Sequence, residues 1–405
     1  MAEPDAPSLP GPGDFAAARA LFPGAREQTY LSVCDRGILG DHTVAALQGY
    51  LAAMQGTRLQ RRDYEAVVND TKTRFAALIG ADPSEVALSG NVSDGVNAIA
   101  NALPWRAGDN VVLTTELEHP NNLYPWMRLA ERGVEIRTVP MRNGAIDVAA
   151  MQAVMDDRTR AATAASVTFS PGLRTDLTSL GAFCQARGVF FLVDAVQSIG
   201  ILRHDVIAEG IDALVTSTSK GLLSLYGCGF LYCRRDWAER LAPAYLSRTG
   251  ADVAPDKPSE MGTAAFRAGA GRFEVGSYNF AGAYAVRASL ALVESLGAEE
   301  IEAHVLALSR RLSDGFARLG LPVTQPPREA ARAHIVTVGK LGDGGHDVTR
   351  DQSFQAWSIA LRSAGVVHTI RRGQLRFATH LYNDITDIDR VLALSAAHLS
   401  GDRPV

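Results

Sequence analysis

Five polar residues follow two short apolar runs in the middle of the chain. Asp194 and Gln197 come after VFFLV, and Ser217, Ser219 and Lys220 come after IDALV. Both runs carry the β-branched and aromatic residues that are typical of buried strands. Because chemistry in an open parallel sheet gathers beyond the carboxyl ends of its strands, we expect these side chains to face one crevice.

An acid, an amide, two hydroxyls and a lysine together suit an aldehyde cofactor that also carries a ring nitrogen and a phosphate, which is pyridoxal 5′-phosphate. Lys220 would form the Schiff base, and Asp194 would pair with the ring nitrogen so that the ring can act as an electron sink. Ser217 and Ser219 would offer hydroxyls to the phosphate. The alternative is a pair of buried strands that end in ordinary loop residues.

Lysine is rare in this chain, which narrows the choice of the Schiff-base residue. Only Lys72, Lys220, Lys257 and Lys340 occur. Lys72 falls in a helical pattern and Lys257 in a polar loop. Lys340 is the remaining rival, but no strand that ends in an acid precedes it at a useful distance. The sequence therefore predicts Lys220 as the cofactor lysine.

Three further stretches could contribute to the same site. SGNVSDG, with Val92 and Ser93, lies between a strand and a helix, where free N–H groups suit a phosphate, although Ser and Asp there also serve as plain helix caps. His119 follows NVVLTT and could stack on a cofactor ring and move protons, or it is a solvated loop histidine. Arg376, within the strand LRFATH, either holds a substrate carboxylate bidentately or lies on an edge strand and reaches solvent.

Strand and helix patterns alternate along the chain, which predicts an α/β fold with a mostly parallel sheet followed by a smaller α+β domain. We expect a disordered lead-in at residues 1–13 and an N-terminal segment at 14–44 that joins the small domain. The large cofactor-binding domain would span 45–281 and the small C-terminal domain 282–405. The Gly-, Ala- and Pro-rich stretch 248–275 suits a mobile loop over a site.

Composition excludes several classes of function. The 405 residues carry a net charge of −4, which gives no general attraction to nucleic acid or to anionic membranes. No apolar run reaches the length that spans a membrane. The four cysteines show neither metal-ligand spacing nor a disulfide framework, so we expect no metal, and a reducing cytoplasm is the default location.

Together these stretches resemble the class V aminotransferase family, the cysteine-desulfurase-like branch of the fold type I enzymes that use pyridoxal phosphate. The most specific piece is Asp-x-x-Gln followed by Ser-x-Ser-Lys. The resemblance implies a seven-stranded type of large-domain sheet and a homodimer with active sites at the interface. It also implies the following roles: Ser93 at the phosphate, His119 stacked on the ring, Gln197 near the ring hydroxyl, Lys220 as the cofactor lysine, Ser277 at the phosphate of the partner subunit, and Arg376 at the substrate carboxylate.

Some residues depart from that family pattern. Desulfurases of the family keep a nucleophilic cysteine shortly before the carboxylate-binding arginine, and AGVVHTIRRGQLR has none. This predicts that the chain is not a cysteine desulfurase. Phe169, in TFSPGLRTD, stands where the family usually has Asn. Cys34 and Arg36 stand where relatives have small residues that face the substrate, which predicts an altered substrate pocket.

The resemblance implies an enzyme that acts on a small α-amino acid through an external aldimine and a Cα carbanion, with Lys220 as the base. We favour β-elimination from a cysteine-derived substrate, a C–S lyase reaction. Transamination and epimerisation remain alternatives, because a shared fold does not choose between them. A degenerate cofactor-binding scaffold is the non-enzymatic alternative, and the retained Lys220 and Asp194 argue against it.

Overall fold

The computed structural model describes residues 8–252 and 265–401. The helices are α1 (Phe15–Ala20), α2 (Pro23–Glu27), α3 (Asp41–Gln55), α4 (Arg61–Ile79), α5 (Val92–Ala102), α6 (Pro120–Met127), α7 (Val148–Val154), α8 (Leu177–Arg187), α9 (Arg235–Ala238), α10 (Phe280–Leu296), α11 (Ala298–Arg318), α12 (Gln352–Ser363) and α13 (Ile385–Ser400).

The strands are β1 (Thr29–Tyr30), β2 (Val86–Ser89), β3 (Asn110–Leu113), β4 (Glu135–Thr138), β5 (Thr159–Ala165), β6 (Phe190–Asp194), β7 (Ala213–Ser217), β8 (Gly229–Cys233), β9 (Ala251–Asp252), β10 (Ala265–Phe266), β11 (Ile335–Val338), β12 (Val366–Val367), β13 (Thr369–Arg371) and β14 (Gln374–Ala378). Short 3₁₀ turns lie at Pro83–Glu85, Arg128–Arg132, Gly269–Phe273 and Glu329–Ala331.

Seven strands form the main sheet, in the order β2-β8-β7-β6-β5-β3-β4. All of them run in the same direction except β8, which is antiparallel to β2 and β7. The predicted α/β fold with a mostly parallel sheet is thereby confirmed, and it is the fold type I arrangement. Since β5, β6 and β7 are parallel neighbours, their carboxyl ends meet at one edge of the sheet.

Helices cover both faces of this sheet, so its strands are apolar throughout. Along β6, Phe191 and Val193 face one core cluster, and Phe190 and Leu192 face the other. This is the two-residue alternation of a strand buried on both sides. Because neither face meets water, the charged Asp194 stands at the last position of β6, and the polar Thr216 and Ser217 are the last two residues of β7.

The C-terminal part forms a three-stranded antiparallel sheet in the order β11-β14-β13. Near the other end of the chain, β1 pairs in parallel with β12, and Ser32 bridges to Ala378. The stretch TYLSVC, which reads as a strand in sequence, is a strand only over its first two residues. The residues after Tyr30 turn towards the main sheet, where Gln197 donates to the carbonyl of Cys34. The N-terminal segment therefore lies between the main sheet and the C-terminal sheet.

The predicted domain boundaries remain predictions, and both fall within the first turn of a helix, α3 or α10. Of the predicted lead-in at residues 1–13, residues 1–7 lie outside the described residues. At its end the N–H of Gly13 donates to the carbonyl of Leu296 at 3.1 Å. Residues 253–264 of the predicted mobile loop also lie outside the described residues. No helix in the described ranges is long and apolar enough to cross a membrane.

Phe75 on α4 joins the helical layer to the sheet. Its ring stacks on that of Phe230 in β8, with 3.9 Å between centroids and 3° between planes, and both side chains are fully buried. Phe75→Ala leaves a cavity that its neighbours cannot fill, so we expect it to lower the free energy of unfolding by about 3–5 kcal/mol, measured by urea denaturation. Tyr124→Ala, at an exposed residue of α6, is the control and should change that free energy little.

Candidate active site

A cavity of about 360 Å³ opens at the carboxyl ends of β5, β6 and β7. It gathers side chains from the main sheet, from the N-terminal segment and from the C-terminal sheet. The residues predicted from sequence that line it are Cys34, Val92, His119, Asp194, Gln197, Ser217, Ser219, Lys220 and Arg376, together with Phe169. Ser93, Ser277 and Arg36 are not among its lining residues.

Asp194 and Lys220 form the ionisable centre of the cavity. Asp194 is only 6% exposed, and its Oδ1 accepts the N–H of Val196 at 3.0 Å. Burial raises the pKa of this carboxyl to about 6. Burial, and then the positive charge of Arg376, lowers the pKa of the Lys220 ammonium to about 8. The lowered pKa makes more of the unprotonated amine, which is the nucleophilic form, available near neutral pH.

Gln197 has an unused hydrogen-bond acceptor. Its Nε2 donates to the carbonyl of Cys34 at 2.9 Å, and its buried Oε1 has no partner in the described part of the chain. An unpaired buried acceptor is costly, so this oxygen favours a ligand that brings a donor. The ring hydroxyl of pyridoxal phosphate is such a donor, and the residues present therefore fit the cofactor on this side.

His119 caps the N-terminus of α6. Its Nδ1 accepts the N–H of Asn121 at 3.2 Å, which leaves the proton of the neutral ring on Nε2. Burial, and then the nearby Lys220 charge, lowers the pKa of His119 to about 4. Its ring meets that of Phe169 edge-on, with 5.5 Å between centroids. The structure thus places a neutral, oriented imidazole in the cavity rather than a solvated loop histidine.

Glu118 is a buried acid that the sequence analysis did not single out. Its Oε1 accepts the N–H of Ala165 at 2.9 Å, and its Oε2 accepts a bond from Asn122 Nδ2 at 2.7 Å. Burial raises the pKa of this carboxyl to about 7. Glu118 therefore ties α6 to the end of β5, and so helps to hold His119, the N-cap of α6, in the cavity. An acid in the short stretch between a strand and the next helix, here between β3 and α6, is the signal that could have identified it.

Arg376 lies on β14, the central strand of its sheet, and is 2% exposed. Its Nε donates to Thr369 Oγ1 at 3.0 Å, and Nη1 donates to the carbonyl of Phe169. Within the described ranges no carboxylate lies at ion-pair distance from this guanidinium. The alternative of a surface arginine on an edge strand is therefore wrong, since Arg376 is a buried cation that faces the cavity.

The start of α5 supplies groups that suit a phosphate. Val92 is the first residue of the helix, and the N–H groups of a first turn lack partners within the helix. Ser217 Oγ and Ser219 Oγ lie 3.4 Å apart on the same cavity wall. Ser93 is half-buried and does not line the cavity, and its carbonyl accepts a bond from Asn97. Its hydroxyl role at the phosphate thus remains a prediction.

Two predicted residues lie apart from this cavity. Ser277 is exposed and lines a second cavity, of about 470 Å³, with Gly90 and Asp94. A role at the phosphate of a partner subunit stays a prediction for it. Arg36 is exposed, and its carbonyl accepts the Tyr30 hydroxyl at 2.9 Å. Its expected place in the substrate pocket is not observed, because the chain turns at this point and carries the side chain outwards.

Sequence reasoning missed several polar residues that line the cavity. Among them are Asp35, Tyr226, His346 and Arg371. Their positions are spread over more than 300 residues, and no local pattern marks them. The pair of arginines in TIRRGQLR, close to Arg376, is the one signal that could have indicated part of this set.

The fold and the cavity define an enzyme of the pyridoxal-phosphate-dependent type. The family model for class-V aminotransferases matches residues 41–391. The chain belongs to this family, as the sequence motifs predict. A relative from Methanothermobacter thermautotrophicus, named a probable cysteine desulfurase, is 32% identical over 340 residues, which cover 79% of this chain and 81% of that protein.

Solved structures show the same fold. The apo structure of a cysteine desulfurase from Thermococcus onnurineus NA1 aligns with a TM-score of 0.83 and 22% identity, and covers 97% of this chain and 99% of that one. The complex of the cystine C–S lyase C-DES with its reaction product cysteine persulfide aligns with a TM-score of 0.81 and 22% identity, over 93% and 99% of the two chains. A variant of C-DES has glycine covalently linked to its PLP cofactor. Pyridoxal phosphate is the cofactor of this family.

The expectation that the chain is not a cysteine desulfurase is wrong. It depended on the missing cysteine of one C-terminal stretch, whereas relatives matched over most of the chain are named cysteine desulfurases. One short stretch does not outweigh that similarity. The structure also places a thiol, that of Cys34, in the cavity from a different segment.

Lys220 is predicted to hold the cofactor. After incubation with pyridoxal phosphate and reduction with borohydride, a covalent pyridoxyl group should be found on the peptide that contains Lys220, as identified by mass spectrometry. Lys220→Ala should retain no covalent label. A label on Lys340 instead, which is exposed and outside the cavity, would contradict the site.

The pH dependence of cofactor capture should report the pKa of Lys220. Only the neutral amine attacks the aldehyde, so the capture rate of the apoprotein should rise with pH and level off above about pH 8. Because the Arg376 charge lowers the pKa of Lys220, Arg376→Gln should move this midpoint to higher pH. Stopped-flow absorbance at several pH values measures both midpoints, and an unchanged or lower midpoint in the variant would count against the electrostatic coupling.

Proposed function

We propose that the protein is a lyase that cleaves the C–S bond of a cysteine-derived α-amino acid by β-elimination. The amino-acid part rests on the buried Arg376, a cation to which the described residues offer no carboxylate partner, in the same cavity as Lys220 and Asp194. The sulfur part is supported by the relatives and structural neighbours whose names refer to cysteine or cystine.

Arg376 would bind the substrate α-carboxylate. A guanidinium has five N–H donors, and two of them are used, towards Thr369 and Phe169. The three remaining donors suit a bidentate pair with a carboxylate. Because β14 is the central strand of its sheet and Arg376 is fixed by Thr369, the carboxylate would be held rigidly, which orients the Cα–H bond for removal.

Lys220 would take the proton from Cα, since a lowered pKa makes its neutral amine available near pH 7. When bound, pyridoxal phosphate supplies an electron sink for the pair left at Cα. Asp194, as a buried carboxylate, would keep the ring nitrogen protonated, and His119 would present its ring face and its Nε2–H. Departure of the thiolate from Cβ would complete the elimination.

We also propose a cytoplasmic homodimer. The Ser277 side chain is exposed and does not reach the candidate site of its own chain, so it is available to a partner subunit. The four cysteines are all free and buried, which suits a reducing compartment. Transamination and epimerisation use the same binding groups, and the product assay below separates them from elimination.

The main test is a product assay with Arg376 variants. Purified holoenzyme and a panel of L-amino acids should give pyruvate and ammonia from cysteine-derived substrates if elimination occurs, and a keto acid that keeps the side chain if transamination occurs. Arg376→Ala loses a charge-assisted bidentate contact, so kcat/KM should fall roughly ten- to a hundredfold. Arg376→Lys should recover only part of this, because an ammonium lacks the planar fork.

Cofactor content, measured by absorbance after alkaline release, should be the same in these variants as in the parent enzyme. If Arg376→Ala has the parent kcat/KM, or if amines without a carboxylate react as well as amino acids, the carboxylate role is wrong. Absence of pyruvate from every sulfur amino acid in the panel would reject the lyase.

A further inference from the structure

A second arginine, Arg371, lines the same cavity as Arg376. Arg371 and Thr369 are two residues apart on β13, so their side chains point to the same face of the sheet. Thr369 Oγ1 is the acceptor for Arg376 Nε at 3.0 Å. Since a strand advances about 3.4 Å per residue, the Arg371 position lies roughly 7 Å further along this face than Thr369.

Arg371 differs from Arg376 because it has carboxylate partners. Its Nη2 donates to Asp35 Oδ1 at 2.8 Å, and its Nη1 donates to Asp347 and to the carbonyl of Ile370. The Arg371 side chain is only 11% exposed. These bonds use three of its five N–H donors, and the remaining two have no acceptor among the described residues.

Asp35 also lines the cavity, and its side chain is 45% exposed. One of its oxygens binds Arg371, and the other accepts no hydrogen bond from the described residues. Free donors on Arg371 therefore lie beside a free acceptor on Asp35. Such a pair complements a group that carries both an anion and a cation, whereas Arg376 alone complements an anion.

We propose that Arg371 and Asp35 form a second subsite, which binds the carboxylate and the ammonium of a second α-amino-acid group. This inference deepens the proposed lyase function and rests on it for the bond that is cleaved. The substrate class is then a sulfur amino acid with an α-amino acid at each end, joined through one or two sulfur atoms.

The competing explanation is a purely structural one. Arg371 bonds to Asp347 in the loop between β11 and α12 and to Asp35 in the N-terminal segment, so it could serve only to hold these segments together. A structural role predicts the same loss for every substrate when Arg371 is changed. A subsite predicts a loss that depends on the distal group of the substrate.

Four thioethers separate these explanations, because they differ only in the distal group. L-Lanthionine carries both distal charges, S-(2-carboxyethyl)-L-cysteine only the carboxylate, S-(2-aminoethyl)-L-cysteine only the ammonium, and S-ethyl-L-cysteine neither. We expect the holoenzyme to show the highest kcat/KM with lanthionine, about ten- to a hundredfold above S-ethylcysteine. The two singly charged compounds should fall between these.

The variants Arg371→Gln and Asp35→Asn test which distal charge of the substrate each residue binds. Arg371→Gln should lose about tenfold or more with the two substrates that have a distal carboxylate and little with S-ethylcysteine. Asp35→Asn should lose activity selectively with the two substrates that have a distal ammonium. Arg350→Gln is the matched control, since Arg350 is an exposed arginine of the same loop as Asp347 and is outside the cavity lining.

Ligand dissociation constants, measured from the change in cofactor absorbance, distinguish a failure of the subsite from a failure of the lyase function. Pyruvate from all four thioethers at equal kcat/KM would overturn the subsite and leave the lyase standing. No pyruvate from any of them, with lanthionine still bound most tightly and this preference lost in Arg371→Gln, would reject the lyase and support the subsite. An equal loss with all four substrates in Arg371→Gln would show the structural role and overturn the proposal.

Discussion

The site depends on the parallel pairing of β5, β6 and β7. In this register Asp194 lies opposite Ala165 on one side and Val215 on the other. The three strands therefore end together, and the polar residues just beyond them share one low-dielectric space. Desolvation there brings the pKa values of Asp194 and Lys220 towards each other, to about 6 and about 8. An acid and an amine that titrate on either side of neutrality are what cofactor capture and proton transfer require.

The remaining walls of the cavity come from distant parts of the chain. Gln197 reaches the backbone of Cys34, and Arg376 reaches the backbone of Phe169. These bonds join the main sheet to the N-terminal segment and to the C-terminal sheet. The guanidinium that would bind the substrate anion is the same group that donates to Phe169. Binding of an anion would therefore also affect this hydrogen bond between the two sheets.

The sequence predicts the central part of this arrangement well, for a local reason. VFFLV and IDALV belong to buried strands, β6 and β7, because both faces of the main sheet are covered, and the polar residues of the site lie at or just beyond the ends of these strands. Local patterns do not reveal contacts such as that of Asp35 with Arg371, which are 336 residues apart. Local patterns also misplaced Arg36, because the direction of its side chain depends on where the short β1 ends. The expectation that the chain is not a cysteine desulfurase failed because it was drawn from one loop.

The pairing of β1 with β12 has a consequence for biosynthesis. Thr29 and Tyr30 leave the ribosome early, but their partners Val366 and Val367 are made more than 300 residues later. The main sheet, with Lys220 and Asp194, can form while translation continues. The contacts of Cys34 with Thr369 and of Asp35 with Arg371 can form only once β13 has emerged, so a nascent chain that already contains Lys220 still lacks this side of the cavity.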